Sequence, residues 1–332
     1  MLLKQLTYSF VDCSTSMLGQ KESQKEQYNC NGAKYENDNL EDFVKYCAPE
    51  PWQNFFWNDK VMQAIKSANI IRQANQEIEG TFIKYHIEPP MQLMFEAFNR
   101  VRPENVKVVI LGQDPTPQEG KATGRAFSVE NPRTVGSAMN VLLEVALEGW
   151  SVNLNNGDLS NWENQGVLLL NSALTIGLIT YQDPKGKIKT QQVSHLGYWC
   201  PFTKLLIEYI SDHLPEPTVW ILWGKVAQDF TVRRKFDSFI ECFNPSRASK
   251  TDITLVPSII SRPKNYVLMG GHPSALGGAG GMNTFFAGNY FYCANEFLSK
   301  KRLGVIIDWG LVTGKSKQYE VGSILNPCPQ FH

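Results

Sequence analysis

"VKVVILGQDPTP", residues 106–117, begins as a run of β-branched and aliphatic residues, stops at Gly112, and hands over to a carboxylate, Asp114, set among prolines. An apolar run without polar alternation reads as a strand buried on both faces, and Gly-Gln-Asp-Pro reads as the turn that ends it. Three further runs have the same form: "GVLLLNS" (166–172), "TVWILWGK" (218–225) and "NYVLMGGHPS" (265–274). Between them lie stretches with helical spacing, "SAMNVLLEVALEG", "PFTKLLIEYISDHL" and "VAQDFTVRRKF". Strand, helix, strand repeated in this way predicts an α/β fold with a central four-stranded parallel sheet flanked by helices. Ligand crevices of such sheets lie beyond the carboxyl ends of the strands. Asp114, Asn171, Gly224 and His272 all fall at those ends.

Upstream, "EDFVKYCAPEPWQNFFW" (41–57) and "DKVMQAIKSANIIRQANQEIEG" (59–80) have helical apolar spacing, with Asn58 or Asp59 as the cap of the second. "EPPMQLMFEAFNRV" (88–101) predicts another helix, entered from its proline pair. Residues 1–40 end in a Gln-, Glu-, Lys- and Asn-rich stretch (19–39) and read as a flexible arm, with "LLKQLTYSFVDC" a candidate docked strand. One domain is expected over 41–320, interrupted by an irregular insertion at 242–264 and followed by a tail at 321–332.

Thirty-two basic and 32 acidic side chains leave a formal net charge of zero, so any nucleic-acid contact must come from a local patch and backbone amides. The seven cysteines, at 13, 30, 47, 200, 242, 293 and 328, form no CxxC pair and read as reduced, mostly buried thiols of an intracellular protein. The N-terminus is too broken by Lys4, Gln5 and Thr7 for a secretory signal, and no apolar run approaches membrane-spanning length. No GxSxG elbow and no GxxxxGK[ST] phosphate loop occurs. "HIE" (86–88) matches the start of a zinc deaminase signature, but its Pro-Cys-x-x-Cys partner is missing. No metal and no cofactor is expected.

Singly, each strand-end residue has a plain structural explanation. An aspartate before proline starts turns, an asparagine caps strand ends, and a loop histidine packs. Three of them converging at neighbouring strand ends, a carboxylate, an amide and an imidazole, point instead to a pocket.

The blocks "VKVVILGQDP", "GRAFSV", "GDLSNWENQGVLLLNSALTI", "ILWGKVAQ" and "GGHPSAL" resemble, in order and spacing, the motifs of family-1 uracil-DNA glycosylases. The resemblance spans roughly residues 50–310 and leaves out the N-terminal arm and the 242–264 segment. It implies a monofunctional DNA glycosylase, acting on single- or double-stranded DNA as a monomer, with no lysine placed for a Schiff base. By position it implies that Asp114 handles the attacking water and His272 stabilises charge on the pyrimidine O2. Gln113 would present its backbone amide to the base, Phe127 would stack on it, and Asn171 would read its Watson–Crick edge. Leu276 would wedge into the duplex, and Ser274 and Ser137 would hold flanking phosphates.

The family's loop reads Gly-Gln-Asp-Pro-Tyr-His; here it is Gly-Gln-Asp-Pro-Thr116-Pro117. The family's tyrosine presses against C5 of the base, so Thr116 removes an aromatic ring from that wall, and the pocket is expected to admit a C5 substituent. The Gly-rich stretch after "HPSAL" is also a few residues longer than the family's, and Arg247, Lys250 and Arg262 lie in the 242–264 insertion. Thymine, 5-modified cytosines including the hypermodified bases of phage DNA, and uracil all remain candidate substrates, since an asparagine can present either its oxygen or its NH2.

Overall fold

The structure, a computed structural model, describes residues 28–30, 33–35, 40–68, 83–214, 216–234, 255–257, 264–274 and 285–311. The four apolar runs form β4 (Val108–Gly112), β5 (Val167–Asn171), β8 (Val219–Trp223) and β11 (Tyr266–Gly270), in the spatial order β11-β8-β4-β5 and all parallel. Every residue of β4, β5 and β8 is buried, as expected for Val-, Ile- and Leu-rich strands covered on both sides. Alternate side chains feed two cores. Val109, Leu111, Leu168, Leu170, Trp220 and Leu222 face one; Val108, Ile110, Val167, Leu169, Ile221 and Trp223 face the other.

The helices are α1 (Leu40–Cys47), α2 (Gln53–Phe56), α3 (Asp59–Ala68), α4 (Gly136–Leu147), α5 (Ser160–Glu163), α6 (Leu196–His213), α7 (Lys225–Gln228) and α8 (Tyr290–Lys301). The first core packs beneath α1, α3 and α6, and the second beneath α4 and α8. Asn58 caps α3, its side-chain oxygen accepting the Lys60 amide at 3.0 Å.

Several helices are shorter than their apolar spacing suggests. The 41–57 stretch breaks at Ala48-Pro49, and a 3₁₀ turn (Glu50–Trp52) separates α1 from α2. The 88–101 stretch forms two 3₁₀ turns, Met91–Leu93 and Glu96–Phe98, in place of a helix; apolar spacing alone does not separate an α-helix from tight turns that bury the same residues. The described residues of the 226–236 stretch form most of α7, a 3₁₀ turn (Asp229–Thr231) and a three-residue strand, β9 (Val232–Arg234). β9 pairs with β10 (Leu255–Pro257), which lies inside the expected insertion. Within the expected arm, β1 (Tyr28–Cys30) and β2 (Ala33–Tyr35) form an antiparallel pair.

A second sheet was not foreseen from the sequence. It is antiparallel, ordered β3 (Ile83–Glu88), β6 (Ile176–Gln182) and β7 (Ile188–Ser194). The β6–β7 turn is tied by Asp183, whose Oδ1 accepts the amides of Lys185 and Lys187 at 2.9 Å each, with Gly186 at φ 78°. The register places Glu88 opposite Ile176 and Ile176 opposite Ser194.

Two cysteines depart from the expectation of reduced thiols: Cys47 and Cys293 are each disulfide-bonded, while Cys200 keeps its thiol. Pairing in space is not written in the spacing of cysteines along a chain. Among the described residues no helix is long and apolar enough to cross a membrane, and no group of three or more His, Cys, Asp or Glu is placed to hold a metal ion.

Candidate active site

The carboxyl ends of β4, β5 and β11 carry Asp114, Asn171 and His272 on one edge of the sheet. Gly112 ends β4 directly opposite Asn171 at the end of β5. The chain leaving β4 is pinned to the chain leaving β5 by Ser172 N donating to Gly112 O (2.9 Å) and Ala173 N donating to Gln113 O (2.8 Å). The Asn171 side chain is buried and makes no hydrogen bond among the described residues, which leaves its amide free for a ligand.

Asp114 is held from two sides. Gln113 Nε2 donates to its Oδ2 at 2.7 Å, and Ser194 Oγ donates to its Oδ1 at 2.6 Å. Burial pushes its carboxyl above the usual carboxylate range, and the two hydrogen bonds oppose that shift. The rest of the turn leans on the second sheet. Gly120 N donates to the buried Glu88 Oε1 at 2.7 Å, and Lys84 Nζ lies 3.4 Å from Glu119 Oε1. Thr116 is half-buried, and its hydroxyl makes no hydrogen bond among the described residues.

Phe127 adopts φ 61°, a left-handed conformation that costs a non-glycine residue roughly 1 kcal/mol or more. The surroundings hold it there. Ala126 N donates to Leu169 O at 3.0 Å, and Arg125 is gripped by Glu96 (2.7 Å) and the buried Glu163 (2.9 Å). The Phe127 ring meets Trp223 edge-on at 5.2 Å and lies 6.2 Å from the His272 ring.

Gly224, at φ 87°, lies against His272; a Cβ there would come within 3.0 Å of the histidine Cβ. His272 Nδ1 accepts the Ser274 amide at 3.1 Å, and burial lowers the ring's pKa. The neutral ring therefore carries its proton on Nε2, as a hydrogen-bond donor. Asn140 Nδ2 donates to Pro273 O at 2.7 Å, while Glu144, one turn further along α4, accepts the amides of Ala287 (2.9 Å) and Gly288 (2.8 Å). One helix thus anchors the residues on either side of 275–284. Ser137 sits in the first turn of that helix and Ser274 immediately after Pro273. Leu276 and the Gly-rich stretch beyond it lie outside the described residues, as do Arg247, Lys250 and Arg262.

Ser194 was missed in the sequence reading. It ends a polar strand, "IKTQQVS", with no apolar periodicity to flag it. The signal available was the Asp-Pro-Lys-Gly turn at 183–186, which marks a hairpin ending beside the site.

A family model for the uracil DNA glycosylase superfamily matches residues 98–287, spanning every sequence-derived candidate named above. The chain belongs to the uracil-DNA glycosylase superfamily. Among superfamily members, a uracil-DNA glycosylase of Streptococcus suis is 34% identical over 237 residues, covering 71% of this chain and 89% of that protein. One from Dictyostelium discoideum is 30% identical over 278 residues, covering 82% of this chain and 67% of that one. The crystal structure of mimivirus uracil-DNA glycosylase superposes with a TM-score of 0.53 at 22% identity, over 79% of this chain and 87% of that one. A variant of mimivirus UNG in complex with UGI superposes at 0.55. At such identity the likeness to the solved structures is one of fold, and it matches the parallel sheet flanked by helices.

Proposed function

We propose that this superfamily member is a DNA glycosylase that hydrolyses the N-glycosidic bond of a pyrimidine swung out of DNA, and that its pocket admits a substituent at C5. The observation that carries the reading is the placement of Asp114, Asn171 and a neutral His272 at the carboxyl ends of β4, β5 and β11, with the Phe127 ring beside His272. As the C1′–N bond breaks, its electron pair leaves on the pyrimidine and the sugar becomes oxocarbenium-like. Asp114 faces that positive charge and orients the water that adds at C1′, taking up its proton. His272 Nε2–H meets the negative charge gathering on the base O2. Removing one preorganised donor of this kind costs about a hundredfold or more in rate. Phe127 stacks on the base, the Gln113 backbone amide and Asn171 read its edges, and an abasic site remains.

Extruding the base costs a few kcal/mol. Ser137 and Ser274, holding phosphates, and Leu276, filling the vacated stack, would offset that cost. Such phosphate contacts make binding salt-sensitive. The partner is thus DNA, bound by a monomeric protein.

The C5 reading rests on Thr116, a small side chain with a free hydroxyl two residues beyond Asp114. A ring-sized gap in a packed site is costly unless something fills it. A pyrimidine found only in invading DNA, such as a hypermodified phage base, would make the activity a defence. The rival reading, repair of uracil, is favoured by the names of the relatives. An oligonucleotide panel carrying uracil, thymine, 5-hydroxymethylcytosine or glucosylated 5-hydroxymethylcytosine, scored for abasic sites by alkaline cleavage, separates the two. Release of a 5-substituted base supports the open pocket, and release of uracil alone removes it.

A further inference from the structure

We propose that Ser194, at the end of the β6–β7 hairpin, is the positioning residue for the Asp114 carboxylate. The inference rests on the reading of Asp114 as the group that handles water, and it deepens that reading. Ser194 Oγ is 2.6 Å from Asp114 Oδ1, at the short end of the range for a hydroxyl bonded to a carboxylate. An ionised carboxylate can only accept, so the hydroxyl donates, while Leu196 N donates to the same Oγ at 3.2 Å. The amide occupies an acceptor site of the hydroxyl, and the hydroxyl's single proton goes to the carboxylate.

The turn that carries Asp114 is poor in donors of its own. Residues 115–117 are Pro-Thr-Pro, so two of the three have no backbone N–H. Gln113 reaches Oδ2. Oδ1 would be left to solvent without a residue from another element, and Ser194 is the group that meets it.

The hairpin makes Ser194 a fixed point. It pairs with Ile176, which pairs in turn with Glu88, the residue that holds the Gly120 amide of the same turn. The next residue, His195, is buried, with one ring nitrogen 2.8 Å from Tyr85 Oη and the other 3.0 Å from Thr175 Oγ1, which also accepts the Trp199 indole N–H at 2.8 Å. Two ends of the catalytic turn are therefore registered against one rigid sheet.

The titratable groups around this platform are His86 and Glu88 on β3, Lys84 and Glu119 at its rim, His195 after β7, and His272 from the end of β11. None of them contributes to the shift of Asp114, which comes from burial opposed by Ser194 and Gln113. Losing the Ser194 proton therefore moves the carboxyl further up.

The test is steady-state excision by the full chain, using the best-released oligonucleotide of the panel, with Ser194→Ala, Ser194→Thr and Asp114→Asn compared across pH. The expected result for Ser194→Ala is a kcat about ten- to a hundredfold lower, with KM, DNA affinity and melting temperature unchanged and the acid limb displaced to higher pH. Ser194→Thr, which keeps the hydroxyl, restores both kcat and the acid limb. A Ser194→Ala enzyme with the wild-type kcat and acid limb, or one impaired in KM alone, overturns the assignment. An inactive Asp114→Asn beside a silent Ser194→Ala removes only this inference; an active Asp114→Asn removes the reading beneath it.

Discussion

Gly112 and Asn171 face each other across the β4–β5 pair so closely that a Cβ on Gly112 would stand 2.5 Å from Asn171 Oδ1. The same added atom would lie 3.4 Å from Phe127 Cε2. Glycine here permits an approach of side chains to backbone rather than a special backbone angle. Gly112→Ala is therefore expected to push the Asn171 amide out of line and to lower kcat/KM about a hundredfold, since misplacement by an ångström costs that much. Abasic-site formation by the variant checks it. A wild-type rate would show that Asn171 is not used to read the base.

Asp114 trades stability for charge. Its folded-state pKa is raised by burial, so the folded chain holds the proton more tightly than the unfolded chain does. Its contribution to stability is full below the unfolded pKa, about 3.9, and is lost as pH rises through the raised folded value. Asp114→Asn is thus expected to melt higher than wild type at neutral pH, with the gap closing in acid. Thermal melting of the two proteins across pH measures it, and a variant that melts lower at neutral pH would contradict it.

Arg125 holds the segment that carries Phe127. Its partner Glu163 is fully buried and pushed up to about 8, by burial acting against the favourable charges of Arg125 and Arg100. Arg125→Ala leaves that carboxylate with only the more distant Arg100 and is expected to cost about 3–5 kcal/mol in the alkaline range above about pH 8, where Glu163 is ionised. The loss shrinks as pH falls and Glu163 takes up a proton. Denaturant unfolding at two pH values reads both the size and the sign.

The parallel sheet was legible because its strands are continuous apolar runs between turn residues, and the runs end on the residues that matter. Asp114, Asn171 and His272 could be placed together from that pattern alone. The second sheet was not legible. β7 is exposed along nearly its whole length, so burial imposed no apolar periodicity on "IKTQQVS", and β3 was noticed only for its His-Ile-Glu triplet. Ser194 was missed with the strand that presents it. The turns at 91–98 bury their residues much as a helix would, and apolar spacing alone could not tell the two apart.

The central claim is that the wall beside C5 of the flipped base is open because residue 116 is threonine. The most direct measurement is the ratio of kcat/KM for a 5-hydroxymethylcytosine oligonucleotide to that for a uracil oligonucleotide, in the wild type and in Thr116→Tyr. The account predicts that the tyrosine lowers the ratio at least about tenfold, by rebuilding the wall against the substituent while sparing uracil. An unchanged ratio, or a wild type that releases uracil alone, would contradict it.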